Sequence, residues 1–282
     1  MKTILIPTDF SENAYNALRY AVQLFAAEEC QFLLVHSFEN QVSNLTSRVD
    51  IGKTEALVEE LYANSDAQCE AVKDKIEGEF KNEQHQFQSI STSLRLSRAI
   101  NKLIVKEQVD FVFMGSKGST GASDVLLGSN TLKMIQRIKK APLIVIPPKM
   151  EFRPVERIAF ATGFKRSFEE DDLRPLLYLS TLNNAQLEVI HVQQKEKMND
   201  DQLSNFHRLF EILKDASPES NWLHKESDMY DAISSYLNKE AVDLLVMIYY
   251  KHHAIMRLFR EATVKDLAKY TLIPFMILPE AN

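Results

Sequence analysis

The stretch MGSKGSTGASDVLLGSN, Met114 to Asn130, holds four of the seven glycines in the chain. It follows the apolar run DFVFM without a break. Glycines placed after a strand let backbone N–H groups approach an anion with no Cβ in the way. A helix opening near Ser129 would add the free N–H groups of its first turn and the positive end of its dipole. Ser129 and Thr131 bring hydroxyl donors. The chemistry such a loop suits is the cradling of phosphate. Two common phosphate-loop spacings, G-x-x-x-x-G-K-[ST] and G-x-G-x-x-G, are absent. Gly115, Gly118, Gly128 and Ser129 fit G-x2-G-x9-G-[ST] instead. Taken alone, the glycines would equally suit a surface loop or a helix cap.

Position is what such a loop needs, and the surrounding pattern supplies it. Short Val/Ile/Leu/Phe runs bounded by Pro, Asp or Gly read as buried parallel strands. Helical periods lie between them. Ala14, Ala17, Leu18, Ala21, Val22 and Phe25 recur three and four apart, with Ser11 placed to cap that helix. A longer amphipathic stretch, roughly 53–80, supplies the next helix. Third strands are expected near 88–94 and 221–225. Alternating strands and helices predict an α/β, doubly wound parallel sheet covered on both faces. In such sheets ligands sit beyond the carboxyl ends of the strands. Asp9 ends the first strand and Gly115 the fourth, so both belong to one rim. A turn or cap is the plain alternative for Asp9.

The chain also repeats itself. KTILIPTDFS (2–11) aligns with ERIAFATGFK (156–165), FLLVHSF (32–38) with LEVIHVQ (187–193), and APLIVIPP (141–148) with IPFMILPE (273–280). AINKLIVKEQVDFVFMGSK (99–117) aligns with AISSYLNKEAVDLLVMIYYK (232–251). The second copy is shorter in its middle. The join falls near PPKMEFRPVE, where three prolines interrupt helix and strand alike. Two domains are therefore expected, 1–149 and 153–282.

Composition narrows the field. A net charge of −6 argues against a general nucleic-acid or anionic-membrane surface. Lys133, Arg137, Lys139 and Lys140 read as a helix C-terminus complementing the macrodipole. Cys30 and Cys69 make no disulfide framework and no metal cluster. No window approaches the roughly 20 apolar residues of a membrane span, and the start reads as a strand, not a signal peptide. A cytoplasmic protein is expected.

Four segments together resemble the universal stress protein family, in its tandem form with two domains in one chain. They are ILIPTDFSENAYNAL (4–18), VDFVFMGSKG (109–118), GSNT (128–131) and APLIVIP (141–147). The resemblance implies a five-stranded parallel sheet per domain, HUP-like, in the order 3-2-1-4-5. It implies ATP binding where G-x2-G-x9-G-[ST] is present, with Mg²⁺ held mainly by the phosphates. By the same resemblance Asp9 sits beside the adenosine, and the backbone near Ser37 and Phe38 meets the base. Met114 and Gly115 form the floor, and Gly118, Gly128, Ser129 and Asn130 hold phosphates and ribose. Pro7, Thr8, Ser116 and Thr131 complete the set. The family often has a glycine after the third strand. Here the stretch is LRLSRAI (94–100), so Arg95 or Arg98 either crowds the site or reaches a phosphate.

The second copy lacks these residues. Aligned through Asp110 and Asp243, Gly115 falls on Ile248 and Gly118 on Lys251. Aligned through Pro142 and Pro274, Gly128 falls on Arg260, Ser129 on Glu261 and Asn130 on Ala262. Asp9 corresponds to Gly163. A degenerate second domain is expected, pairing with the first as an intrachain pseudo-dimer through the edge strands LIVIP and FMILP. A homodimer of chains is a further expectation. His252 and His253, with His224 and Glu226, suit a surface or interface loop better than a metal site. His36 and His191 end the second strand of each copy, which points to a structural role.

Two other readings stay open. A slow ATPase or autophosphorylating enzyme would use Ser116, Lys117, Ser119, Thr120 or Ser123 as acceptor, but no H-x-G-H motif or acid/base pair lies beside the loop. A scaffold for protein partners would need no nucleotide.

Overall fold

The computed structural model describes residues 1–46, 51–118, 127–192, 198–223, 229–248 and 273–279. The chain divides into two units, Met1–Phe152 and Arg153–Asn282. In the first, strands β1 (Lys2–Thr8), β2 (Cys30–Ser37), β3 (His85–Thr92), β4 (Phe111–Gly115) and β5 (Leu143–Ile146) form a parallel sheet in the order β3-β2-β1-β4-β5. Helices α1 (Glu12–Leu24), α2 (Glu39–Thr46), α3 (Ile51–Glu79), α4 (Leu96–Lys106) and α5 (Ser129–Arg137) cover it. The second unit repeats the plan. Strands β6 (Arg157–Ala161), β7 (Gln186–Val192), β8 (Glu219–Leu223), β9 (Leu244–Ile248) and β10 (Phe275–Leu278) lie in the order β8-β7-β6-β9-β10, again parallel. Helices α6 (Glu170–Asn183), α7 (Asp200–Ile212) and α8 (Met229–Lys239) are described there. This is the α/β, doubly wound arrangement that the alternating pattern predicts, with the 3-2-1-4-5 order in each copy.

The central strands are apolar end to end because both faces are covered. Ile4, Leu5 and Ile6 of β1 are fully buried, as are Leu33, Leu34 and Val35 of β2. α1 lays Ala14, Ala17, Leu18, Ala21 and Val22 onto the sheet, and Phe25 closes its end against Phe111 and Phe113. Ser11 caps α1, its Oγ accepting from Ala14 N at 3.3 Å. The third strands start earlier than expected, at His85 and Glu219. Each is an outer strand with a half-exposed, polar-rich face, so its apolar signal is weak. Parallel pairing with the whole of β2, from Cys30–His85 to Ser37–Thr92, draws the earlier residues into the ladder.

One polar device recurs where the first strand of each unit begins. Asp110 Oδ2 accepts from Thr3 N at 2.9 Å, and Lys2 Nζ reaches Asp110 Oδ1 at 2.9 Å. Asp243 Oδ2 accepts from Glu156 N and Arg157 N at 2.9 and 3.0 Å. These aspartates pin the fourth strand to the first in both copies. The second unit adds a buried carboxylate. Glu188, fully buried, accepts from Arg157 and from Tyr236. Cys30 and Cys69 are free, and burial pushes their thiols up to about 12 and about 11.

A second repeated device sits at the opposite ends of the same strands. Phe10 and Phe164 both take a left-handed backbone, at φ 62° and 52°. Their N–H groups donate to Thr8 Oγ1 and Thr162 Oγ1, at 3.0 and 3.2 Å. Each ring then packs on the histidine that ends the neighbouring strand. Phe10 meets His36 at 4.4 Å, and Phe164 meets His191 at 4.9 Å. His36 Nδ1 bonds Ser65 Oγ at 2.7 Å, and His191 Nδ1 donates to Thr162 O at 2.6 Å. This is the structural role that the paired positions suggest.

Burial holds His36, His85 and His191 below the ordinary value of 6.5. A depressed histidine is neutral in the folded state and takes up its proton on unfolding, so its stabilisation is present above the unfolded value. It is lost as pH falls through 6.5 toward the folded value. The urea midpoint is expected to drop between about pH 7.5 and pH 5. A flat midpoint over that range would contradict the buried, neutral histidines.

Candidate functional site

The carboxyl ends of β1 and β4 bring Asp9 and Gly115 to one rim. Asp9 is exposed in the turn between β1 and α1. Its Oδ1 accepts from Ser11 N at 3.2 Å and Ser11 Oγ at 2.6 Å. Asp9 is thus also a turn residue, and those two bonds fix where its carboxylate stands. Pro7 and Thr8 are buried just behind it.

At two of the three described loop glycines a side chain would collide with a neighbour, and at the third it would be in van der Waals contact. A Cβ on Gly118 would lie 2.5 Å from Asp9 Oδ2. One on Gly115 would lie 2.8 Å from both Asn13 O and Asn13 Nδ2, in the first turn of α1. One on Gly128 would stand 3.4 Å from Lys117 Cα and 3.5 Å from Gly118 N. None of the described glycines has positive φ. What these residues contribute is room, not an unusual backbone conformation. Gly118 and Gly128, ten apart in sequence, are thereby neighbours beside Asp9.

Short polar contacts hold the cradle. Gly128 N donates to Ser116 O at 2.8 Å. Thr131 Oγ1 donates to Gly115 O at 3.0 Å, and Asn13 Nδ2 to Lys117 O at 2.8 Å. Met114 and Ser116 are buried on either side of Gly115. The Ser116 hydroxyl and Asn13 Oδ1 are buried with no partner among the described residues. α5 begins at Ser129 with Gly128 as its cap residue, and no side chain caps it. Among the described residues, no side chain takes the N–H groups of its first turn. Ser129 and Asn130 are exposed there, whereas Thr131 is buried and committed to Gly115. The donor set fits a phosphate: an uncapped helix start, a Cβ-free approach and an unpartnered hydroxyl.

Ser37 and Phe38 lie at the end of β2, their polar groups engaged. Ser37 Oγ donates to Leu94 O at 2.7 Å. Phe38 N donates to Thr92 O at 3.0 Å, its carbonyl accepts from Gln41 N at 2.9 Å, and its ring packs on Tyr62. Arg95 and Arg98 stand apart from the glycines. They line a cleft with Arg137, and Arg95 lies 3.8 Å from Glu39. Arg137 closes the last turn of α5, as the macrodipole reading has it, while Lys139 and Lys140 follow the helix.

In the second unit Gly163 stands where Asp9 does, directly before the left-handed phenylalanine. Ile248 ends β9 as Gly115 ends β4, and its side chain is buried. Lys251, Arg260, Glu261 and Ala262 lie outside the described residues, as do His224, Glu226, His252 and His253. Asn13 is the site residue that motif reading passes over. It sits in the first turn of α1, and only the closeness of Gly115 shows what it does.

Comparison with known proteins agrees with this geometry. The model of the universal stress protein family matches residues 1–147. A universal stress protein of Methanocaldococcus jannaschii is 28% identical over 152 residues, spanning 51% of this chain and 94% of that protein. One of Synechocystis sp. is 25% identical over 289 residues, spanning 98% of this chain and 99% of that protein. The crystal structure of a universal stress protein from Archaeoglobus fulgidus has a TM-score of 0.59 at 18% identity, covering 99% of this chain and 97% of that one. At that identity the likeness speaks for the fold. No helix among the described residues is long and apolar enough to cross a membrane.

The close approach at Gly115 is measurable. Gly115→Ala drives a Cβ into backbone atoms of α1 and is expected to cost about 1–3 kcal/mol in urea unfolding. Gly78→Ala, in the last turn of α3 with nothing within 4 Å of the new Cβ, is expected to stabilise by about 0.5–1 kcal/mol. Equal effects at the two positions would remove the steric argument.

Proposed function

Because the chain belongs to the universal stress protein family as a tandem member, we propose that it is a nucleotide-binding module and that its nucleotide is ATP. The site is the rim of the first domain, residues 1–149. The second domain, 153–282, is a degenerate copy that serves as the built-in counterpart of the first. One observation carries the reading. Gly115, Gly118 and Gly128 converge beside Asp9 and an uncapped helix start, and at each a Cβ would meet a neighbour. The N–H groups of the α5 first turn would hold phosphate oxygens, with the Ser129 hydroxyl beside them. Ser116 Oγ, buried without a partner, is a further polar group available there. The Asp9 carboxylate would accept from a ribose hydroxyl. Met114 and Gly115 would form the floor, with Ser37 and Phe38 toward the base. Mg²⁺, where present, would be held mainly by the phosphates, Asp9 being the acidic side chain that the rim contributes among the described residues.

The second unit supports the contrast. Gly163 has no carboxylate to offer, and Ile248 fills the place kept bare by Gly115. In sequence, Glu261 aligns with Ser129, a negative charge in place of a hydroxyl donor to phosphate.

The test is to denature freshly purified protein and identify the released small molecules by mass spectrometry. ATP or ADP near one per chain is expected from the parent, and none from Gly128→Arg. Asp9→Ala is expected to weaken ATP roughly tenfold to a hundredfold by titration, the worth of a charge-assisted hydrogen bond. No nucleotide in the parent, and no binding at millimolar ATP, would overturn the proposal in favour of a scaffold.

A further inference from the structure

The rim leaves a second concave feature of the first unit unused. A cleft of about 520 Å³ opens beside α4, lined by Arg95, Arg98, Asn101 and Arg137 with Glu39 and Ser97. Three guanidinium groups share it with one carboxylate. Arg95 lies 3.8 Å from Glu39. Among the described residues, Arg98 and Arg137 have no carboxylate within ion-pair distance. Both are exposed and take no part in the core. Like charges on one concave wall repel, so their gathering here is a cost that folding alone does not explain.

The frame that gathers them is tightly built. Asn101 Nδ2 donates to Ser97 O and to Arg137 O, each at 2.9 Å. Asn101 Oδ1 accepts from Lys139 N at 3.0 Å. These bonds tie the end of α5 to the middle of α4, and so set the backbone separation of Arg98 and Arg137. Arg95 is the N-cap residue of α4, and no side chain caps that helix. Arg95 O takes the Arg98 and Ala99 N–H groups at 2.9 and 3.0 Å, which leaves those of Leu96 and Ser97 beside the same arginines.

We infer that this cleft binds the diphosphate group of a small soluble ligand. Guanidinium forks match phosphate oxygens two at a time, and they stay charged at any physiological pH. Arg98 and Arg137 are two forks without a carboxylate partner on two different helices, with Arg95 shared with Glu39, and forks set apart in this way suit two joined phosphates. The volume falls within the range of small-molecule sites, roughly 300–1,000 Å³. The lining shares no residue with Asp9, Gly118 or Gly128, so this inference stands apart from the ATP reading.

Inorganic pyrophosphate is the probe, titrated by calorimetry into full-length Gly128→Glu protein, where a carboxylate blocks the rim. One pyrophosphate per chain is expected, with citrate at least about tenfold weaker. Adding Arg98→Gln and Arg137→Gln is expected to weaken pyrophosphate about a hundredfold, near tenfold per charge-assisted contact. Thermal melting should not fall, since both side chains are exposed and the substitutions relieve their mutual repulsion. In the parent background the same pair is expected to retain its released nucleotide, so an absence of nucleotide from every variant would be the separate failure of the ATP reading. No pyrophosphate binding to Gly128→Glu, an unchanged affinity after the paired substitution, or citrate as tight as pyrophosphate would each overturn the assignment.

Discussion

The first turn of α1 comes so close to the end of β4 that no side chain fits between them, and the rim of the first unit is organised around that contact. Gly115 faces Asn13, whose backbone oxygen and side-chain amide both stand 2.8 Å from where a Cβ would be. The helix can settle at this depth because its buried face is small, with Ala14, Ala17 and Ala21 against the sheet. Once there, Asn13 reaches across to Lys117 O, and Thr131 reaches back to Gly115 O. The strand end, the helix that precedes it in sequence and the helix that follows it are thus fastened at one point.

Each half of the chain keeps the same scaffold beneath that rim. An aspartate pins the start of the first strand, and a threonine holds a left-handed phenylalanine onto a histidine, half-buried in the first copy and buried in the second, at its end. Above these devices the copies part company. Gly115 becomes Ile248 and Asp9 becomes Gly163, while Thr8 and Thr162, Phe10 and Phe164, His36 and His191 are retained. Residues that carry the sheet are duplicated; residues that keep space open are not. That division separates a folding requirement from a binding requirement within one molecule.

The strands themselves, the α1 face, the Ser11 cap and the start of α5 were legible in the sequence, because each is written locally in apolar period or cap chemistry; the strand order was not written locally and followed only from the family resemblance. The third strands were legible only in part. His85 and Gln86 enter β3 through pairing with Cys30 and Gln31, an interaction their own residue types do not announce. At the rim, the glycine spacing and Asp9 could be read from the order of residues. Asn13 could not, since its part depends on a helix depth that no local pattern encodes. The arginine cleft was half visible: Arg95 and Arg98 departed from the family pattern, but Arg137 joins them only through the Asn101 bridge between two helices.

Gly118 and Asp9 also constrain each other's history. A side chain at 118 would land 2.5 Å from the Asp9 carboxylate and turn it away from Ser11. While the aspartate stays, most changes at 118 are penalised; once it is lost, the position is released. The second copy has a glycine at the first of these places and, by alignment, a lysine at the second. The two positions therefore behave as one unit: a side chain longer than hydrogen at 118 and a carboxylate bonded to Ser11 at 9 exclude each other, so in the first copy neither can be changed without regard to the other.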